Sequence, residues 1–181
     1  MKKRYWLGGG LLVLLLLAGT LLVVNRQTSQ PASKPATAPV AKKKPQPSVP
    51  PLTHRAWKKQ PELKYAGIIY YAVKHLKIQR WQEVSDFKKG WQVEIYPGHA
   101  KTKYLVWPDQ NIREEAKQLE PNWFTLNADH TVTYDSFGVH TFEADQTATV
   151  SEAHILKQLR ADHAAKKVYG MLDQLQVVKH H

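Results

Sequence analysis

The stretch PELKYAGIIYYAVKHLKIQRWQEVSDFKKGWQVEIYP, residues 61–97, decides the fold because its hydrophobic period changes partway along. It begins with Pro61, a residue that suits the first turn of a helix. Apolar residues then recur every three to four positions, which is the spacing of a helix with a buried face. After Gly90, apolar and polar residues alternate from Trp91 to Tyr96, as in a half-buried strand. This stretch therefore predicts a helix that leads into a sheet.

The chain beyond residue 97 continues the sheet and then returns to helix. Strand patterns cover residues 104–107, 123–126, 131–136 and 140–150, and helical patterns cover 78–87, 112–119 and 152–175. Ser151 is placed to cap the last helical region, which we expect to break around residues 162–164. Consecutive strands with short connections favour an antiparallel meander. The predicted fold class is α+β, in which about four or five antiparallel strands are packed by N-terminal and C-terminal helices over residues 52–181.

Upstream of this domain, residues 6–24 read WLGGGLLVLLLLAGTLLVV and contain no charged residue. A helix of this length spans roughly 28 Å, close to the hydrocarbon core of a bilayer. Basic residues at positions 2–4 precede it and only Arg26 follows closely, so residues 1–5 are predicted to be a cytoplasmic stub. The sequence thus predicts a single-pass plasma-membrane protein with an extracytoplasmic domain. A cleaved signal peptide is the alternative, but its apolar stretch is usually shorter.

The basic charge of the chain is concentrated near its N-terminus. Residues 25–51 contain seven prolines among Ala, Ser, Thr and Lys, which predicts a disordered tether rich in Pro and Lys. Residues 1–51 hold eight of the 26 Lys and Arg residues and no acid, whereas all 15 acidic residues lie in 52–181. A nucleic-acid-binding protein carries its basic excess on the folded surface, so we expect no nucleic-acid partner. Within the domain, residues 52–104 are the more basic half, which is compatible with an anionic wall polymer.

Four segments of the domain form a recognisable series. They are IIYYAVKHL (residues 68–76), Arg80-Trp81, GWQVEIYP (residues 90–97) and TATVS (residues 147–151) ahead of a closing helix. This series resembles a family of small lactobacillal surface domains, which are exported by a signal peptide or held by an N-terminal helix or lipid. The resemblance extends over residues 61–178, with a local departure at 113–120. It implies an exported α+β domain and supplies no active site.

The sequence offers little evidence for catalysis or metal binding. Its nine histidines form no HxH or HExxH motif and no pair at i, i+4 spacing, so we expect no metal site and no cofactor. It has no cysteine, no GxSxG motif and no phosphate-binding glycine loop. Glu143 and Asp145 share one face of a predicted strand, where acidic side chains are usually solvated. No catalytic residue is predicted.

Aromatic and basic residues provide the candidate ligand site. Five tryptophans lie after residue 50, and exposed aromatic rings can stack on sugars. Trp81 and Trp91 fall at core-facing positions, whereas Trp57 and Trp123 are expected to be exposed in loops. The predicted ligand-binding residues are Trp57, Lys58, Lys59 and Trp123.

The function predicted from these features is a non-catalytic binding or interaction module at the bacterial cell envelope. Its partner would be an anionic wall polymer, a polysaccharide or an envelope protein. A hydrolase of an envelope polymer is the alternative, and an inward-signalling sensor, which would need a membrane partner, is a third. A binding module predicts a shallow surface with basic and aromatic side chains. A hydrolase requires a cleft with converging acids or a Ser/His pair.

Overall fold

A computed structural model describes residues 48–117, 122–138 and 146–181. The predicted stub and membrane span, together with residues 25–47 of the predicted tether, lie outside the described residues. No helix in the described ranges is long and apolar enough to cross a membrane. Residues 45–181 form one compact unit.

The compact unit has helices at both ends of a meander, so the predicted α+β class is confirmed. In chain order the elements are α1 (His54–Lys59), α2 (Pro61–His75), a 3₁₀ helix (Gln79–Val84), β1 (Trp91–Tyr96), β2 (Lys103–Trp107), a 3₁₀ turn (Glu114–Ala116), β3 (Asn122–Leu126), β4 (Thr131–Ser136), β5 (Gln146–Ser151), α3 (Glu152–Ala161), α4 (Ala165–Gly170), a 3₁₀ helix (Met171–Gln174) and β6 (Leu175–Lys179).

The sheet is larger than predicted and is mixed. Its six strands lie in the order β5-β4-β3-β2-β1-β6, and β1 to β5 form the expected antiparallel meander. The sixth strand pairs parallel to β1, with Trp91 opposite Leu175 and Ile95 opposite Lys179. The prediction of four or five antiparallel strands is therefore wrong. It failed at the C-terminus, where the last helical turn ends at Gln174 and the next five residues, Leu175–Lys179, form a strand.

The core lies between one sheet face and the helices. The α2 helix is buried on almost every side, since all its residues from Leu63 to Val73 except Lys64 are buried. It packs between the sheet and the other helices, with contacts to α1, α3 and α4. Trp81 and Trp91 are fully buried, as predicted, and the indole N–H of Trp91 donates to the carbonyl of Val84 at 2.7 Å.

Local signals in the sequence set several helix ends. Pro61 occupies the first turn of α2, and the hydroxyl of Ser151 caps α3 by accepting from the N–H of His154 at 3.2 Å. The break between α3 and α4 lies where it was predicted, and His163 adopts a positive φ of 51° there. One helix was missed: Thr53 caps α1, because its hydroxyl accepts from the N–H of Ala56 at 3.1 Å.

Candidate functional site

The predicted ligand-binding residues do not come together in the structure. Trp57 lies in α1 and is only 2% exposed, so the expectation of an exposed loop tryptophan is wrong. Its indole packs against Gly67 of α2, which leaves room because glycine has no side chain. Lys58 and Lys59 are exposed in the last turn of α1.

Trp123 lies on the opposite side of the sheet from α1. It belongs to β3 and not to a loop, and it is partly exposed. Its neighbour Phe124 is buried and packs near Tyr65 of α2, with ring centroids 6.0 Å apart. Because side chains alternate across a strand, Trp123 points away from the helices. The Nζ of Lys103, on the adjacent strand β2, lies 4.2 Å from the centroid of the Trp123 ring.

The exposed and partly exposed side chains that point away from the helices on β2 to β5 form a surface that we call the open face. Leu105 and Trp107 of β2 point the same way but are buried, so they are not part of it. The open face includes Lys103, Trp123, Thr125, Thr131, Thr133, Asp135, Thr147 and Thr149.

Hydrogen bonds between neighbouring strands hold the hydroxyls of the open face in rows. Thr147 donates to Asp135 at 2.7 Å, and the hydroxyls of Thr133 and Thr149 lie 3.0 Å apart. The side-chain amide of Asn127 donates to Thr131 and Thr133, at 2.9 Å in both cases. A polar, ordered surface therefore lies beside the Lys103–Trp123 pair.

The open face ends in a groove of about 850 Å³ between the β1–β2 and β3–β4 connections. Lys101, Asn127 and Asp129 line it together with threonines of the open face. Hydrogen bonds from the hydroxyl and N–H of Thr131 hold the pKa of Asp129 below its usual value. The groove therefore offers a cation, a carboxylate, an amide and hydroxyls to a polar ligand.

Over β1, the face of the sheet that points away from the helices is covered by a buried ion pair between Glu94 and Lys117. Glu94 points away from the helices yet is only 2% exposed, because Lys117 of the β2–β3 connection reaches it and donates to its carboxylate. Tyr96 and Gln92 donate to the same carboxylate, and Nε2 of His180 lies 3.3 Å from it. Burial alone would raise the pKa of Glu94, but the hydrogen bonds from Lys117 and Tyr96 outweigh it and keep that pKa below its usual value.

A second concave surface lies on the helix side, where α1 and α2 meet the β3–β4 turn; we call it the α1–α2 cleft. Its volume is about 460 Å³. Its lining includes Trp57, Lys58, Lys64, Tyr65, Leu126 and Glu152, with His54 and His130 at its edge. Glu152 is buried, accepts a hydrogen bond from Lys64, and lies 3.7 Å from Nδ1 of His54. Of the predicted site residues, Trp57 and Lys58 line this cleft, whereas Lys59 and Trp123 do not.

The described lining of the α1–α2 cleft contains one carboxylate, Glu152, and that carboxylate is paired with Lys64. In the described ranges, no three His, Asp or Glu side chains gather in a way that could hold a metal ion. Glu143 and Asp145 lie outside the described residues.

The sequence indicated parts of both surfaces. The alternation in TVTYDS (residues 131–136) and QTATVS (residues 146–151) was a signal for rows of hydroxyls on one sheet face. Lys103 and Glu152 gave no such signal, since their partners are distant in sequence.

In comparisons with known proteins, no family model, no curated protein and no solved structure matches the chain.

Proposed function

We propose that this protein is a membrane-anchored, non-catalytic module that binds an anionic polymer of the bacterial cell envelope through its open face. The observation that carries the proposal is the Lys103–Trp123 pair set beside ordered rows of threonine hydroxyls. Residues 6–24 would anchor the chain in the plasma membrane, and residues 25–51 would let the domain reach outward.

The shape of the open face favours an extended polymer over a small molecule. Its side chains come from four neighbouring strands, and none of the described helices covers them. Strands in a sheet lie about 4.8 Å apart, so four strands present contacts over more than 14 Å. Several sugar or polyol units in a row can use such a surface, because each threonine hydroxyl donates and accepts.

The Lys103–Trp123 pair favours an anionic polymer over a neutral one. An indole ring offers an apolar face to the C–H groups of a sugar, and an ammonium beside it attracts a carboxylate or phosphate on the same chain. Acidic polysaccharides and phosphate-bearing wall polymers both meet this description. An envelope protein with an acidic surface is the competing partner.

Sedimentation with purified cell walls tests the proposal on the full-length chain in a mild detergent. We expect Trp123→Ala and Lys103→Gln each to weaken binding about fivefold to tenfold, because one removes the aromatic platform and the other the adjacent cation. Matched controls are Phe137→Ala, an exposed aromatic outside the open face, and Lys77→Gln, an exposed lysine after α2. Both controls should bind walls like the parent chain.

Two further measurements distinguish an anionic polymer from the other partners, and a binding module from a hydrolase. Walls stripped of their anionic polymers should bind less protein, and retention on such walls would favour a neutral polysaccharide or a protein partner. A turbidity assay run in parallel reports wall hydrolysis. Loss of turbidity that depends on Glu143 or Asp145 would overturn the binding module in favour of a hydrolase.

A further inference from the structure

Most of the α1–α2 cleft is lined by helix residues on the side of the sheet opposite the open face, and only Leu126 and His130 of its described lining come from β3 and the β3–β4 turn. It lies at the edge of the core, where Tyr65 of α2 meets Leu126 at the end of β3. Its volume of about 460 Å³ falls in the range of pockets that hold small molecules. A ligand of this cleft would therefore not compete with a polymer on the open face.

The floor of the cleft is apolar and uncharged. Trp57 and Tyr65 are buried, and Leu126 is partly buried beside them. Burial raises the pKa of the Tyr65 hydroxyl well above its usual value, and the neighbouring Tyr104 adds to the effect. Tyr65 therefore stays neutral at physiological pH and does not repel an anion. Such a floor suits an aromatic ring or a short alkyl chain.

The rim of the cleft is cationic, because the one carboxylate among its described lining residues is already paired. Glu152 accepts from Lys64, and Nδ1 of His54 faces the same carboxylate. Lys58 is the second lysine of the lining and is exposed at the last turn of α1. His130 adds an imidazole at the β3–β4 turn. Two lysines against one glutamate leave the cleft with a positive balance.

We propose that the α1–α2 cleft binds a small amphipathic anion, an organic carboxylate or phosphate carried on an apolar body. The apolar body would lie on Trp57 and Tyr65, and the anionic group would face Lys58 at the rim. Lys64 holds Glu152 and keeps that carboxylate from repelling the ligand. The combination of a buried apolar floor, a paired acid and an exposed lysine in a cleft of this size suits a small molecule and not a polymer.

Calorimetric titration of the full-length chain with three matched compounds tests this site. They are 3-phenylpropanoate, 3-phenylpropanol and 3-phenylpropylammonium, which share one apolar body and differ in charge. We expect the carboxylate to bind about tenfold more tightly than the alcohol, because a charge-assisted contact with lysine is worth about that factor. The ammonium compound should bind most weakly, since it meets a cationic rim.

Lys59, the neighbour of Lys58 in sequence, supplies the control. Lys58→Gln should weaken binding of 3-phenylpropanoate about fivefold to tenfold, whereas Lys59→Gln, which changes an equally exposed lysine outside the cleft lining, should alter it less than about twofold. Neither substitution should change wall sedimentation, so failure of this site and failure of the open-face proposal are distinguishable. No binding of the carboxylate by the parent chain would overturn the inference. Equal affinities for the three compounds, or equal effects of the two substitutions, would also overturn it.

Discussion

At the scale of single residues, the burial of Trp57 shows why sequence reasoning misplaced a candidate site residue. Its segment, HRAWKK, is short and mostly polar, which resembles a loop. The indole is buried because α2 offers Gly67 at the point of contact, where a Cβ would lie 2.7 Å from Cζ2 of Trp57. That match between two residues ten positions apart depends on tertiary packing and leaves no periodic signal.

This contact makes Gly67 intolerant of even a methyl group. We expect Gly67→Ala to destabilise the domain by about 1–3 kcal/mol, because a rigid indole or the α2 backbone must shift. Urea unfolding monitored by tryptophan fluorescence measures the change. Gly170→Ala is the matched control, since nothing lies within 4 Å of its added Cβ. A Gly67→Ala protein as stable as the Gly170→Ala protein would contradict the packing described for Trp57.

Glu94 is the residue whose charge matters most for pH dependence. Its pKa is lower in the folded chain than in the unfolded chain, so its contribution is present above the unfolded pKa, about 4.3, and is lost as the pH falls through the folded value. We expect Glu94→Gln to cost roughly 2 kcal/mol at pH 7, because the buried Lys117 loses the buried one of its two carboxylate partners and keeps only the exposed Glu114. The same substitution should flatten the loss of stability as the pH falls below the unfolded pKa of about 4.3.

Urea midpoints at pH 7 and pH 3 test this pair. Glu83→Gln removes a more exposed carboxylate, paired with Arg80, and should cost less than about 1 kcal/mol. If Glu94→Gln and Glu83→Gln cost the same at pH 7, the ion pair beneath the β2–β3 connection adds nothing to stability.

At the scale of elements, the sequence predicted the helices and strands that have a hydrophobic pattern of their own. It missed those that form only by packing or pairing with another segment. The α2 helix and strands β1 to β4 were each found, and the clearest periods are those of α2 and β1. The β6 strand was assigned to a helix because Val168, Met171, Leu172 and Leu175 are also helically spaced. It forms where the outer edge of β1 offers unpaired backbone groups, and α3 with α4 supplies the crossover that a parallel pair requires.

Gly90 is the position where β6 and β1 come closest at their start. It has a φ of 73°, and a Cβ there would lie 2.1 Å from the carbonyl oxygen of Gln174. We expect Gly90→Ala to destabilise by more than about 2 kcal/mol, because it combines a left-handed backbone with a clash against main chain. In amide hydrogen exchange, residues 175–179 should be the first to lose protection. Unchanged protection of that strand would contradict the pairing of β6 with β1.

At the scale of the whole molecule, the candidate surfaces could be predicted only in part. The α+β class follows from local periods, but a binding surface is assembled from strands that the fold brings together. Lys103 meets Trp123 across a strand pair, and Lys64 meets Glu152 from 88 positions away. Exposure and charge of single residues could be estimated from the sequence, whereas these pairings could not. For this reason Trp123 was placed in the same site as Lys58, although they lie on opposite sides of the sheet.

The proposed anchoring of the chain in the membrane can be tested by proteolysis of intact protoplasts. If residues 6–24 anchor the protein with its domain outside, trypsin added to intact protoplasts should cut at Lys42 or Lys43 in the proline-rich tether. It should release a C-terminal fragment smaller than the 20.7 kDa chain, because the compact unit from residue 45 onward resists cleavage. Immunoblotting of a C-terminal tag in the medium measures that release. Replacing Lys42, Lys43 and Lys44 by glutamine should slow that release.

Two other outcomes would contradict this arrangement. Resistance in intact protoplasts, with cleavage only after lysis, would put the domain in the cytoplasm. A mature chain that begins beyond residue 24 and appears in the medium without trypsin would identify residues 6–24 as a cleaved signal peptide, because an anchored chain needs a cut in the tether to leave the cell.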